Sequence, residues 1–461
     1  MTPVTRRHFL ARSAIAGAGA LLYGCGRFAS TRLHDVIVLG AGMAGLAAAR
    51  DLVRGGLDVL VLEARDRVGG RMHTLPEPSP HGLEVGAQMV HGSRAATWEL
   101  IREFGIETRD LGDWSRVEWQ PQRGFRTPDP KRIGSLYARL HEAYHGYRGE
   151  DTTYQQLLDS LKLSEEEQGL VSYYALGWSA EPDEVSLRTA MEDTPAWEAY
   201  VDTNYQVVGG YGNLARKLAE GLGERLRLSS VVQAVDWKPD RVEVTCEHGG
   251  MAEKARGRRV IITLPIGVLQ AGQPVFSPVL PEWKAHSIGA LRMGRVVVLH
   301  FLFDDWFWRH PAPGIRGWSM SGGRISFQDF HPPGKGMPAL EGWITGRAAQ
   351  ELSDLGDQEG TKRALAWIEE AFPRSRASQR LQWSTMRDWI RDPYALGSYS
   401  FTLPGGAGQR AILATPVQDC LYFAGEATEA PPHYQTVHGA YISGRRAARE
   451  VLSAHGIEAA A

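Results

Sequence analysis

Apolar and polar positions along the chain alternate in patterns that predict its elements. Asp35 to Leu39 (DVIVL) is a short continuous apolar run, the pattern of a strand buried on both faces of a parallel sheet. An Ala-rich segment of helical period follows, and a second apolar run, Asp58 to Leu62, ends at Glu63. Residues 95–105 read as a helix stopped by Gly105. From 131 to 190 the pattern is mostly helical, with amphipathic stretches at Ile133–Tyr147 and Tyr154–Leu163. A helix is expected at Asn213–Gly221. Strand-like alternation then occupies 226–248 (LRLSSVVQAVDW, then RVEVTCEH). Further strands are expected at Arg259–Leu264, Arg295–Phe301 and within 315–350, a helix at Glu359–Ala371, a strand at Leu421–Gly425, and a last helix that begins near Thr436.

Composition narrows the class. A chain of 461 residues suggests two or three domains, and 43% apolar with 23% charged residues is ordinary for a soluble globular protein. A formal charge of -2 gives no reason to expect a nucleic-acid partner. The 15 histidines show no paired metal-ligand spacing, so no metal site is expected. Cys25, Cys246 and Cys420 are too scattered for a disulfide framework or a zinc site.

The first 30 residues form a separate segment. Thr5-Arg6-Arg7-His8-Phe9-Leu10 is a twin-arginine sequence, and Ala14 to Tyr23 is a short apolar run, too short to span a bilayer comfortably. Together they read as a bacterial export signal, with the twin-arginine machinery as partner and the periplasm as destination. That route carries folded proteins, which suits an enzyme that takes up a cofactor first. The alternative is a disordered basic N-terminus. Leu22-Tyr23-Gly24-Cys25 faintly resembles a lipoprotein cleavage box, so membrane attachment is expected only if Cys25 is lipidated.

The sharpest chemistry lies between the first two strands. Gly40, Gly42 and Gly45 have G-x-G-x-x-G spacing, and Glu63 ends the second strand. The glycines permit a tight turn and a close approach of pyrophosphate to backbone. The helix N-terminus supplies free N–H groups, and the acid can bond a ribose hydroxyl. Arg67-Val68-Gly69-Gly70-Arg71 follows. A nicotinamide site has no need of this pair of glycines between arginines, whereas a flavin site can use it; the alternative is a basic surface turn.

The stretch EARDRVGGR resembles the amine oxidase group of FAD enzymes, which includes monoamine oxidases, polyamine oxidases and lysine-specific histone demethylases. The resemblance spans about residues 34–452 and rests on several ordered motifs: Gly82–Gly92 (GLEVGAQMVHG), Val207–Leu214 (VVGGYGNL), Pro265–Leu269 (PIGVL), Phe276–Pro281 (FSPVLP), Gly397–Phe401 (GSYSF) and Leu421–Arg449. It implies an α/β protein in which a discontinuous Rossmann-like FAD-binding domain (34–112, 206–273 and 410–455) carries an inserted α+β substrate domain (113–205 and 274–409).

The resemblance also implies roles. FAD, held without a covalent bond, would meet Gly40, Gly42, Ala44, Gly45, Glu63, Arg65, Gly70 and Arg71 at its dinucleotide end. Val232 would meet the adenine end through its backbone. Ala87, Gln88, Met89 and Val90 would run beside the flavin ring, with Trp389 and Tyr394 close by. Gly425, Glu426, Thr436 and Val437 would form the strand end and helix N-terminus aimed at the cofactor. Tyr399, His91 and Thr436 are the candidate catalytic residues: Tyr399 as an aromatic wall, His91 facing the cavity, Thr436 where monoamine oxidases carry a second cage aromatic. For His91 the plainer alternative is a loop histidine bonded to backbone, and for each aromatic, core packing. Cys420 lies on the wrong segment for a covalent flavin link. Members of the group usually carry a lysine on the strand that here begins at Arg295; this chain has none, and an offset of one puts Val296 at that place. Trp178, Glu181, Glu192 and Asp193 fall in the helical insertion, where an acid could attract a cationic amine or simply face solvent.

The implied reaction is oxidation of an amine C–N bond to an imine that hydrolyses to an aldehyde or ketone, with O2 reduced to hydrogen peroxide. An L-amino acid oxidase or a flavin desaturase of the same fold is the alternative; the former needs an arginine for the carboxylate. A non-catalytic FAD-bound protein is a third possibility.

Overall fold

The computed structural model describes residues 29–457 except 80–81, 113–116, 122, 128, 165–166, 169, 172–175, 310–315 and 331–335. The twin-arginine stretch, the apolar run to Tyr23 and Cys25 lie outside the described residues. No helix among the described residues is long and apolar enough to cross a membrane.

One sheet has eight strands. Ala29–Leu39 sits at its centre, parallel to Val59–Leu62 on one side and to Met251–Ile262 on the other. Alternation along these strands splits the core in two. Val36, Val38, Val59 and Val61 face the helices Met43–Arg54 and Val437–Ala454. Ile37, Leu39, Leu60 and Leu62 face the opposite layer, with Val260, Ile262 and Phe423. The two helices approach closely because of small residues: a Cβ on Gly444 would lie 2.2 Å from the Ala44 carbonyl oxygen. The C-terminal strand Leu421–Phe423 joins this sheet beside Met251–Ile262, so distant parts of the sequence complete one domain. Val275–Ser277 also belongs to it, paired with Ala234–Asp236, two residues beyond the boundary expected at 273.

The other large sheet has seven strands, with Val296–Phe303 between Leu381–Asp388 and Ala339–Thr345. Val297, Leu299, Phe301 and Phe303 face the helix Gly346–Ala371. Val296 and Val298 face the other way, towards Trp389. The helix starts well before the expected Glu359. Gly356, at φ 77° and ψ 173°, breaks its geometry, so only the second half keeps a legible period.

Helices Pro130–Gly146, Tyr154–Ser160 and Leu187–Tyr200 form a cap around Leu136, Leu140, Leu157, Leu158 and Trp178. Tyr434 and Phe401 belong to the same cluster, which ties the cap to both domains.

Lys284, fully buried, closes the end of the helix Gln409–Ala414. Its Nζ donates to the carbonyls of Ile412 (3.1 Å), Leu413 (2.6 Å) and Thr415 (2.6 Å). Lys284→Met keeps the bulk and strands three acceptors. It is expected to destabilise the protein by about 2–4 kcal/mol, measured by urea unfolding.

Candidate active site

A single cavity of about 1330 Å³ runs from the Gly-rich turn, between the two large sheets, to the helical cap. A small-molecule site usually occupies roughly 300–1,000 Å³, so there is room for a dinucleotide and a substrate.

At one end lie Gly40, Gly42 and Ala44. Gly40 has φ +101°, and a Cβ on Gly42 would meet nothing within 4 Å, so the turn presents bare backbone to the cavity. The helix Met43–Arg54 starts there with no side-chain cap, which leaves its first N–H groups available to a phosphate. Gly69 N–H donates to the Ala41 carbonyl at 2.8 Å, so the Arg-x-Gly-Gly-Arg segment lies against the turn and brings Gly70 and Arg71 to the wall. Glu63 is buried. Its carboxylate accepts from Ala41 N–H (2.6 Å) and Arg65 N–H (2.9 Å), and burial raises its pKa in spite of both bonds. Val232 lines the same end. These features fit FAD: an open glycine turn for pyrophosphate and an acid on the strand end for ribose.

Arg65 and Arg71 reach the wall already paired. Arg65 bonds Asp392 through both nitrogens (2.5 and 2.9 Å) and lies 5.3 Å from the Tyr394 ring centre. Arg71 donates to Glu426 (2.9 Å) and to the Ser398 carbonyl (2.6 Å). Gly425, Glu426, Thr436 and Val437 also line the cavity.

Two expected residues do not reach the cavity, and a third gains a structural task. Gly45 does not line the cavity; a Cβ there would lie 2.0 Å from the Gly40 carbonyl, so its task is close packing of helix on turn. Val90 does not line the cavity. It is 1% exposed, in the core with Leu100 and Tyr211, because a strand sends neighbouring side chains to opposite faces. Ala87, Gln88, Met89 and His91 do reach the wall. Thr436 is a helix cap: its hydroxyl accepts from Gly439 N–H (2.9 Å) and donates to the His433 carbonyl (2.6 Å).

At the other end His91 Nδ1 meets Asn204 Oδ1 at 2.7 Å, so Nδ1 carries the proton and Nε2 is left as acceptor. Burial lowers the His91 pKa, although the Asn204 bond works the other way. Trp197 packs edge-on to the ring at 5.0 Å. The Tyr399 hydroxyl bonds Ser179 Oγ at 2.5 Å, and burial pushes its pKa up to about 12, so it is a neutral phenol. Trp389 N–H donates to the Val85 carbonyl at 2.6 Å, which fixes its indole on Val296 and Val298 beside Trp343 and Tyr399. Arg295 pairs with Glu184 and does not line the cavity, so among the described residues no cation from this strand reaches it.

Of the four residues singled out in the cap, two face the cavity. Glu181 is turned to Arg324 (3.0 Å) and Arg347 N–H (2.8 Å), and Glu192 is exposed. Asp193 and Trp178 line the wall. Trp178 N–H is shared between Asp193 Oδ2 (2.8 Å) and the Tyr434 hydroxyl (3.0 Å). Burial raises the Asp193 pKa more than these donors and the charge of Arg410 lower it. Trp197, Asn204 and Ser179 carried no sequence motif, and Tyr434 lay unremarked within Leu421–Arg449; each is recognised only by what it touches. Neither Cys246 nor Cys420 lines the cavity.

The sequence matches the profile of flavin-containing amine oxidoreductases over residues 43–169 and 149–452. It is 32% identical to rice polyamine oxidase 4, over 90% of this chain and 88% of that protein. It is 30% identical to mouse lysine-specific histone demethylase 1B over 97% of this chain, yet spans only 56% of that relative's length. The fold is similar to putrescine oxidase bound to putrescine (TM-score 0.78, 22% identity, 92% of this chain and 99% of that one). It is likewise similar to cyclohexylamine oxidase from Brevibacterium oxydans (TM-score 0.77, 24% identity, 92% and 100%). With a profile match across most of the chain and a cavity whose turn, acids and aromatics suit a flavin, the chain belongs to the flavin-containing amine oxidoreductase family.

Proposed function

We propose that this protein oxidises a cationic di- or polyamine at a C–N bond, and the observation that carries this is Asp193, a carboxylate in an otherwise largely aromatic substrate chamber. FAD bound along the Gly40–Glu426 wall would supply the two-electron acceptor, with O2 as the final oxidant and hydrogen peroxide as its product. Asp193 supplies a countercharge for an ammonium distant from the reacting nitrogen. Trp343, Trp389 and Tyr399 exclude water from the reacting nitrogen and so favour its neutral, oxidisable form. His91 offers a neutral acceptor at Nε2 to an N–H of the substrate. The imine formed leaves to be hydrolysed by water. Names of relatives support the substrate class: polyamine and putrescine oxidases are among them.

An amino acid substrate is disfavoured by the cations at the wall. Arg65 and Arg71 are bound to Asp392 and Glu426, and so are not offered to a substrate carboxylate. Hydrogen peroxide release across monoamines, diamines, polyamines and amino acids tests the proposal. Diamines or polyamines are expected to be preferred, and preference for an amino acid overturns it.

Tyr399→Ala is expected to slow flavin reduction by about 10²-fold, because the reacting carbon loses its wall. Cofactor content stays near normal. The check is rapid-mixing absorbance with flavin content measured in parallel.

Export is proposed on the twin-arginine sequence alone. Replacement of Arg6 and Arg7 by lysine is expected to leave the precursor in the cytoplasm, read by cell fractionation. Unchanged periplasmic activity would contradict it. Lipidation at Cys25 is proposed only as an addition to that route, read by labelling with a fatty-acid analogue.

A further inference from the structure

We propose that Glu341 is a positioning residue: from behind the cavity wall its carboxyl group holds the Gln88 amide in a single orientation beside the substrate and cofactor. The proposal deepens the amine-oxidation reading and rests on it.

Sheet register creates the arrangement. In the seven-stranded sheet His300 lies opposite Glu341, and Glu341 lies opposite Gln328. Alternate residues share a face, so this row is on the same side as Val298, Trp343 and Ser326, which are opposite one another one step along. Trp343, Ser326 and Gln328 line the cavity; Glu341 does not, because Gln88 lies over it. Gln88 itself lines the cavity and donates its Nε2–H to Glu341 Oε1. The wall that is apolar at Trp343 thus ends in a polar row with one amide presented to the ligand.

The neighbours of Glu341 explain its state. It is 3% exposed, and no arginine or lysine pairs with it among the described residues. His300 Nε2 lies 3.8 Å from Glu341 Oε2 but donates to the Glu84 backbone carbonyl at 2.7 Å. Glu84, also buried, accepts from Tyr211 N–H (2.5 Å) and the Thr74 hydroxyl (2.8 Å). Burial, with Glu84 as a nearby like charge, holds Glu341 well above the usual carboxylate range; Glu84 itself is pushed up to about 8. Burial thus disfavours the ionised form of Glu341, whose Oε1 accepts from the Gln88 amide. A neutral acid suits a neutral amide without the cost of a buried charge. Ionisation would turn it into an acceptor only and place a charge against Glu84.

The test compares Glu341→Gln, Glu341→Leu and Gln88→Leu in the holoenzyme. Glu341→Gln keeps a neutral hydrogen-bonding group. It is expected to keep kcat/KM within about threefold and to leave the flavin absorbance spectrum unchanged, whereas the two leucine variants lose about 10- to 100-fold. Both leucine variants shift the spectrum alike, and combining them costs no more than either alone, since both break one contact. The idea is overturned if Glu341→Gln is as damaged as Glu341→Leu, or if Glu341→Leu matches the parent in spectrum and rate. If Glu341→Leu does not fold, Glu341→Gln against Gln88→Leu decides by the same two readouts. A parent that no amine reduces would refute the activity, while the spectra would still report on the contact.

Discussion

Glu426→Leu is expected to yield a folded but FAD-depleted protein, with cofactor affinity reduced by 10²-fold or more (about 3–5 kcal/mol). Glu426 is 5% exposed and joins the two ends of the FAD domain. It accepts from Arg71 (2.9 Å), from Ser400 N–H (3.2 Å) and Ser400 Oγ (2.8 Å), and from Gln435 N–H (3.2 Å), just before the last helix. Buried Arg410 stands next to it, donating to Ser400 Oγ at 2.7 Å. Leucine would leave two guanidinium groups without their carboxylate, in the wall that meets the cofactor. Burial alone would raise the Glu426 pKa, but the charges of Arg71 and Arg410 and the bonds from Arg71 and Ser400 outweigh it and hold it low. A lowered folded value means that the stabilisation is present above the unfolded pKa, about 4.3, and is lost as pH falls through the lower folded value. The parent should therefore hold FAD above the unfolded carboxylate range and release it only as pH falls through the lower folded value of Glu426. Released-flavin fluorescence across pH checks both statements. A Glu426→Leu protein that keeps its flavin to the same pH as the parent would show that the network is not part of cofactor binding.

Asp193→Asn is expected to raise KM for a diamine by about 30- to 100-fold, equivalent to about 2–3 kcal/mol for a charge-assisted bond, with kcat changed much less. A monoamine of similar length, with no second ammonium, should change by less than about threefold. Asparagine can still accept from Trp178, so the wall keeps its shape. Steady-state kinetics on the matched pair is the check. An equal loss for both substrates would make Asp193 part of the wall and not a recognition group.

How much was legible in the sequence follows from which interactions are local. Strand, turn, helix and acid from Asp35 to Glu63 are encoded in consecutive residues, and the structure joins them as expected. Gly45 was placed at the cofactor because spacing alone does not distinguish a glycine that faces a ligand from one that lets a helix touch a turn. The segment of Val90 is legible but its facing side is not, since one residue reverses the side of a strand. The acids of the cap were a harder case. Glu181, Glu192 and Asp193 look alike in sequence, and only the fold sends the first to Arg324, the second to solvent and the third to the cavity. Glu341 was hidden for the same reason. Its partners Gln88 and His300 are remote in sequence and meet it through strand register and one crossing segment. Arg295 was the nearest cation in sequence to the place of the missing lysine, yet its side chain goes to Glu184, and Val296 and Val298 face Trp389 instead.

Anaerobic mixing of the FAD-loaded protein with a diamine, followed by admission of O2, tests the proposed chemistry most directly. The diamine is expected to bleach the visible flavin band in a single substrate-dependent phase. Oxygen should then restore the band, with one hydrogen peroxide and one aldehyde formed per flavin. A band that no mono-, di- or polyamine bleaches, but that an L-amino acid does, would contradict the assignment of the cavity to amines.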